Sequence, residues 1–65
     1  MAKGNLIRRE IFNRYSRSGY SIQELEALSS YAIGYAQSLN FDCSVSEAIF
    51  EASLITGYFY EWRTY

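Results

Sequence analysis

The side chain best suited to covalent chemistry is Cys43, the single cysteine of this 65-residue chain. It lies just before Ser44, where a helix is predicted to begin, and the positive end of a helix dipole can activate a thiol. However, Asp42 adjoins Cys43, and the chain has no histidine to serve as a general base. We therefore expect no catalytic residue and no enzyme activity, with a thiol reaction at Cys43 as a weaker alternative.

Paired acids or metal ligands would have to come from four glutamates, Glu24, Glu26, Glu47 and Glu51. Two of them close Ser-x-x-Glu motifs that begin at Ser21 and Ser44. In such a capping box the serine hydroxyl and the glutamate carboxylate each accept a bond from an otherwise unpaired N–H group at a helix start. The sequence also lacks a phosphate-binding glycine loop, a zinc knuckle and a calcium loop. We accordingly expect no metal site and no cofactor.

Basic residues are concentrated near the N terminus. Residues 1–20 carry five basic residues against one acidic residue, a net charge of +4, whereas residues 21–65 carry a net charge of −5. The basic set is Lys3, Arg8, Arg9, Arg14 and Arg17. Contacts from these side chains to phosphates would give salt-sensitive, weakly specific nucleic-acid binding. The interpretation that we favour is that the basic helix packs beside acidic helices and is neutralised there.

Aromatic residues are unusually frequent, with seven tyrosines, four phenylalanines and one tryptophan. Phe50, Leu54 and Tyr58 recur at i, i+4 and i+8, beside a second apolar stripe of the same predicted helix. Tyr31 and Tyr35 form a similar pair on the preceding helix. Because large aromatic side chains are enriched at interfaces, this pattern predicts a partner-binding surface formed by these five residues. The alternative is that the first helix covers the stripe and completes an ordinary core.

The chain is expected to form a single domain, 1–65, in which three helices position these side chains. The helices are predicted over about residues 5–16, 22–39 and 45–62. Asn5 is the expected N-cap of the first helix, and Asn40 the stop of the second. The connection 40–43 is short, so the second and third helices should be antiparallel neighbours. The expected inner face of the first helix consists of Ile7, Ile11, Phe12 and Tyr15. That of the second consists of Leu25, Leu28, Ala32, Ala36 and Leu39. That of the third consists of Val45, Ala48, Ile49, Ala52, Ile55, Phe59 and Trp62.

Small residues refine this picture. Ala32 and Ala36 on the second helix, facing two alanines one turn apart on the third, would let the two backbones approach closely. Gly19 is expected in a turn, whereas Gly34 and Gly57 fall inside helices, where they indicate tight packing, a mild bend or the floor of a binding groove. Residues 58–62 have high β-propensity, so a strand is the alternative there, although the helical stripe continues through them.

Together these features predict an all-α, three-helix domain built on an antiparallel hairpin. A core of this size supplies roughly 3–5 kcal/mol, and no internal disulfide reinforces it. We expect a small non-enzymatic protein-binding module, an inhibitor, adaptor or regulatory subunit of the kind that phages and plasmids encode, with another protein or its own copy as partner. A nucleic-acid-binding regulator is the alternative. The lone cysteine and the absence of a membrane span or signal peptide favour the cytoplasm, and no family is recognised from the motifs.

Overall fold

The computed structural model describes residues 2–57, which form three helices. α1 spans Ala2–Tyr15, α2 spans Ile22–Ser38 and α3 spans Val45–Thr56. Each helix packs against the other two, and the region described contains no strand. Tyr35, near the end of α2, bonds to Glu47, near the start of α3. The predicted all-α fold with an antiparallel α2–α3 hairpin is therefore confirmed.

The two predicted capping boxes differ in the structure. At α2 the box is complete, since Ser21 Oγ accepts from the N–H of Glu24 and the Glu24 carboxylate accepts from the N–H of Ser21 at 2.7 Å. At α3, Ser44 Oγ accepts from the N–H of Glu47 at 3.0 Å. The Glu47 carboxylate instead accepts from the hydroxyl of Tyr35 at 3.0 Å. The role that we predicted for Glu47 in a capping box is wrong, because its carboxylate bonds to α2 and not to the N–H of Ser44.

The start of α1 also differs from the prediction. α1 begins at Ala2, three residues before Asn5, so Asn5 lies inside the helix and is not its N-cap. In the added first turn, Lys3 Nζ donates to the carbonyl oxygens of Phe41 and Cys43, at 3.1 and 2.8 Å. This contact ties the beginning of α1 to the α2–α3 connection. Only the tertiary fold brings these residues together, so local sequence did not indicate the earlier start.

The end of α2 is a Schellman motif. The N–H of Phe41 donates to the carbonyl oxygen of Ala36 at 2.7 Å, and the N–H of Asn40 donates to that of Gln37 at 3.0 Å. Asn40 has a φ of 55°, as its predicted role in stopping the helix requires. Leu39, the helix C-cap, is 39% exposed, so its predicted place in the inner stripe is wrong.

α3 ends earlier than predicted. Gly57 has a φ of 79° and donates its N–H to the carbonyl oxygen of Ser53, which makes it a left-handed C-cap. The predicted continuation of the helix through Gly57 is therefore wrong. Ile55, in the last turn, is 59% exposed and not part of the inner face. The predicted positions of Phe59 and Trp62, and the strand alternative over 58–62, lie outside the described residues.

The core combines branched and aromatic side chains of α1 with alanines and a few large aliphatic side chains of the hairpin. Its members are Ile7, Ile11, Tyr15, Leu25, Leu28, Ala32, Ala36, Ala48, Ile49 and Ala52. The four alanines are completely buried, in agreement with the predicted close approach of α2 and α3. Phe12 and Val45 are half-buried against this core.

Two serines are buried that the hydrophobic pattern did not single out. Ser29 Oγ donates to the carbonyl oxygen of Leu25, and Ser53 Oγ donates to that of Ile49. Ser53 Oγ also lies 2.8 Å from the hydroxyl of Tyr15. A serine can occupy a core position as a small side chain when its hydroxyl bonds to a carbonyl oxygen of its own helix. Because serine is counted as polar in a hydrophobic pattern, neither residue was predicted to lie in the core.

Candidate protein-binding surface

α3 buries Ala48, Ile49, Ala52 and Ser53 in the core and leaves other large apolar side chains exposed. Phe50 and Leu54, which we name the outer ridge, are 54% and 51% exposed, although they are among the largest apolar residues of the helix. α1 contacts α3 on the side next to Phe50, through Tyr15 with Ser53 and Arg14 with Ser46, but leaves both ridge residues about half exposed. The alternative that α1 covers this stripe is therefore wrong for Phe50 and Leu54. Tyr58, the third predicted member, lies outside the described residues.

An acidic row runs beside the outer ridge. Glu47 and Glu51 are one turn apart on α3, and each precedes a ridge residue by three positions, so they are its neighbours on the helix surface. Glu47 is exposed and Glu51 is half-buried. The surface thus presents two parallel rows, one apolar and one acidic.

The predicted tyrosine pair on α2 has two different environments. Tyr31 is 51% exposed. Tyr35 is half-buried and donates its hydroxyl to the Glu47 carboxylate. This hydrogen bond raises the pKa of Tyr35, and desolvation and the negative charges of nearby acidic groups act in the same direction. Tyr31 is thus available to a partner, whereas the hydroxyl of Tyr35 already links α2 to α3.

Three of the five predicted nucleic-acid-binding residues make contacts within the protein. Lys3 bonds to two carbonyl oxygens of the α2–α3 connection. Arg14 donates to Glu10 at 3.1 Å and to Ser46 Oγ at 3.0 Å. Arg8 forms a two-pronged ion pair with Glu26 on α2, in which one nitrogen lies 2.6 Å from the carboxylate. These contacts support the interpretation that α1 is partly neutralised by its own fold.

The Arg8–Glu26 pair lies at the surface, and its hydrogen bonds favour the charged form of both groups. They lower the pKa of Glu26 and raise the pKa of Arg8. Arg8 also lies over the ring of Phe12, 5.1 Å from its centroid, in cation–π geometry. Together with Asn5 and Arg9 these two residues line a shallow open groove on α1. Arg9 and Arg17, the other two predicted residues, are exposed.

Cys43 is a free, half-buried thiol on the α2–α3 connection. Sequence reasoning found no basic residue close to it, but the fold brings Lys3 to its carbonyl oxygen. Among the described residues, no group of three or more potential ligands could hold a metal ion. No helix in the same range is long and apolar enough to cross a membrane.

Comparisons with known protein families, curated proteins and solved structures find no match to this chain. Its function must therefore be inferred from its own residues and their geometry.

Proposed function

We propose that this chain is a small protein-binding module, an inhibitor, adaptor or regulatory subunit and not an enzyme, that acts in the cytoplasm through the outer ridge. The observation that carries the proposal is the exposure of Phe50 and Leu54, one turn apart on a helix whose core face is formed by other residues. Tyr31 and Ile55 add exposed apolar area on the hairpin. Grouped exposed apolar side chains are typical of protein interaction sites.

The energetics favour this use of the surface. Full burial of a leucine or phenylalanine side chain contributes about 1.5–3 kcal/mol, a large amount for a domain of this size. The fold leaves about half of each ridge side chain exposed, so part of that energy remains available for association. Both side chains lie on a regular helix, which holds them in place before binding and reduces the entropy lost in the complex.

The test is capture of partners from the native extract by the tagged protein, followed by mass spectrometry. We expect Leu54→Ala to weaken capture of a specific protein by about 1–4 kcal/mol, the range for interface anchors. Ile22→Ala is the matched control, because Ile22 is 64% exposed and lies one turn before Glu26, on the side of α2 that meets α1. Equal capture by the wild type and Leu54→Ala would contradict the proposal, as would an equal loss in the control.

A second candidate function is nucleic-acid binding by α1. It is favoured by the groove lined by Asn5, Arg8, Arg9 and Phe12. It is weakened by the contacts that already engage Lys3, Arg8 and Arg14 within the protein. Gel retardation at low salt is the test, because electrostatic attraction to phosphates is strongest there. Retardation that Arg9→Gln and Arg17→Gln remove would support this function, and no retardation would exclude it.

A further inference from the structure

We propose that the outer ridge binds a basic amphipathic helix of a partner protein. This inference rests on the proposed function and adds the chemistry of the partner. It follows from two observations on the hairpin, namely the arrangement of its exposed side chains in rows and the sign of its charge.

The rows favour a helical partner. Phe50 and Leu54 form one row at i, i+4, and Glu47 and Glu51 form a second row beside it. Side chains one turn apart form ridges, and helices pack by fitting such ridges into each other's grooves. A partner helix with an apolar row beside a row of lysine or arginine would match both rows at once. The recognition would then be of the helix-in-groove type, with anchors at one-turn spacing.

The charge favours a basic partner. Residues 21–57, which contain α2 and α3, have no lysine or arginine and five acidic residues, Glu24, Glu26, Asp42, Glu47 and Glu51. Arg8 neutralises Glu26, which lies on the α1 side of α2. Glu47 accepts its hydrogen bond from an uncharged hydroxyl and so keeps its negative charge. In the part of the chain that the structure describes, neither Glu47 nor Glu51 forms a salt bridge, so the side of the ridge away from α1 is bordered by negative charge. Complementary charge on a partner speeds association and excludes acidic competitors.

A second copy of this chain fits the surface less well. Two antiparallel α3 helices, related by a two-fold axis perpendicular to them, would place the acidic rows on the same side of the contact, and such like-charge contacts are unfavourable. The basic helix of a second copy offers a poor apolar row, because Leu6 is the one exposed large hydrophobic residue of α1 and Glu10 follows it one turn later. Self-association is therefore an outcome that the test must detect, and not the expected one.

The test uses two synthetic helical peptides as probes. Both carry the same leucine row over about four turns; one has lysine and the other glutamate in the flanking rows. Titration into the isotopically labelled protein, followed by NMR, gives both the affinity and the residues that respond. We expect the lysine peptide to bind at least about tenfold more tightly, with the largest shifts at Phe50, Leu54 and Glu51. High salt should reduce the difference between the peptides.

Single charge removals supply matched controls. Glu51→Gln, on the acidic row, should weaken binding of the lysine peptide several-fold, whereas Asp42→Asn, which removes the same charge at the exposed α2–α3 connection, should weaken it less. Equal binding of the two peptides, binding of neither, or largest shifts on α1 would overturn the inference. A dimer in sedimentation experiments without peptide would replace it with self-association. The peptide experiments test only the chemistry of the partner. The proposed function is tested separately, by the capture experiment with Leu54→Ala.

Discussion

The two faces of α3 differ in how far their side chains are buried. The inner face is built from Ala48, Ile49, Ala52 and Ser53, all nearly or completely buried. The outer face carries Phe50 and Leu54, each about half exposed. Of the large apolar side chains of α3, Ile49 is buried in the core, whereas Phe50, Leu54 and Ile55 are more than half exposed. The small residues of the inner face suit a close neighbouring helix, whereas the outer face leaves Phe50 and Leu54 without full burial in this fold.

The inner face can be small because other elements supply the bulk of the core. The most completely buried large side chains are Leu28 on α2 and Ile7, Ile11 and Tyr15 on α1, and Leu25 and Ile49 are nearly buried beside them. α1 thus fills the space over the α2–α3 hairpin, and its anchors are the bond of Tyr15 to Ser53 and the Arg8–Glu26 pair. The stability of the domain should therefore respond strongly to inner residues and weakly to outer ones.

The largest effect is expected for Leu28→Ala. Leu28 is fully buried, and removal of a buried leucine side chain costs about 2–5 kcal/mol, comparable to the whole stability of a domain this small. Urea denaturation followed by circular dichroism measures the change. Leu39→Ala is the control, because Leu39 is 39% exposed and its loss should cost much less. Similar losses in the two variants would show that the assigned inner face is wrong.

A smaller loss is expected when the inner face of α3 is enlarged. Ala52→Leu forces extra atoms between α2 and α3, and such overpacking costs about 1–3 kcal/mol. Ala27→Leu makes the same change at an exposed position of α2 and should be nearly neutral. Thermal unfolding of both variants tests the prediction. A gain of stability in Ala52→Leu would mean that the helices are not closely packed there.

A modest gain is expected for Gly34→Ala on the exposed side of α2. No neighbouring atom lies within 4 Å of the position that a Cβ would occupy, so tight packing does not explain this glycine. Replacing it with alanine should stabilise the helix by about 0.5–1 kcal/mol. Gly57→Ala should do the opposite, because its φ of 79° is strained for any residue with a side chain. Chemical denaturation of the two variants should therefore give shifts of opposite sign.

Local signals in the sequence predicted most of the fold. The Ser-x-x-Glu motifs marked the starts of α2 and α3, and Asn40 marked the end of α2. These features act within one helical turn, so they can be recognised without knowledge of the tertiary structure. The α1 start at Ala2 could not be recognised in this way, because its first turn contacts the distant α2–α3 connection.

The candidate surface was predicted less completely. The i, i+4 spacing identified Phe50 and Leu54, but periodicity alone could not decide whether α1 covers them. The bond between Tyr35 and Glu47 was not predicted, because it joins residues of two helices and depends on how these pack. Ile55 was assigned to the core because the helical stripe was extended past Gly57, which in the structure ends α3.

We infer that the outer ridge serves association and not the fold. The most direct test is the free energy of unfolding of the double variant Phe50→Ala/Leu54→Ala, measured on the protein without a partner. The account predicts a change within about 1 kcal/mol and an unchanged helical circular dichroism spectrum, as expected for exposed positions. A loss of about 2–5 kcal/mol, as for a buried large side chain, would contradict it and assign the ridge to the core.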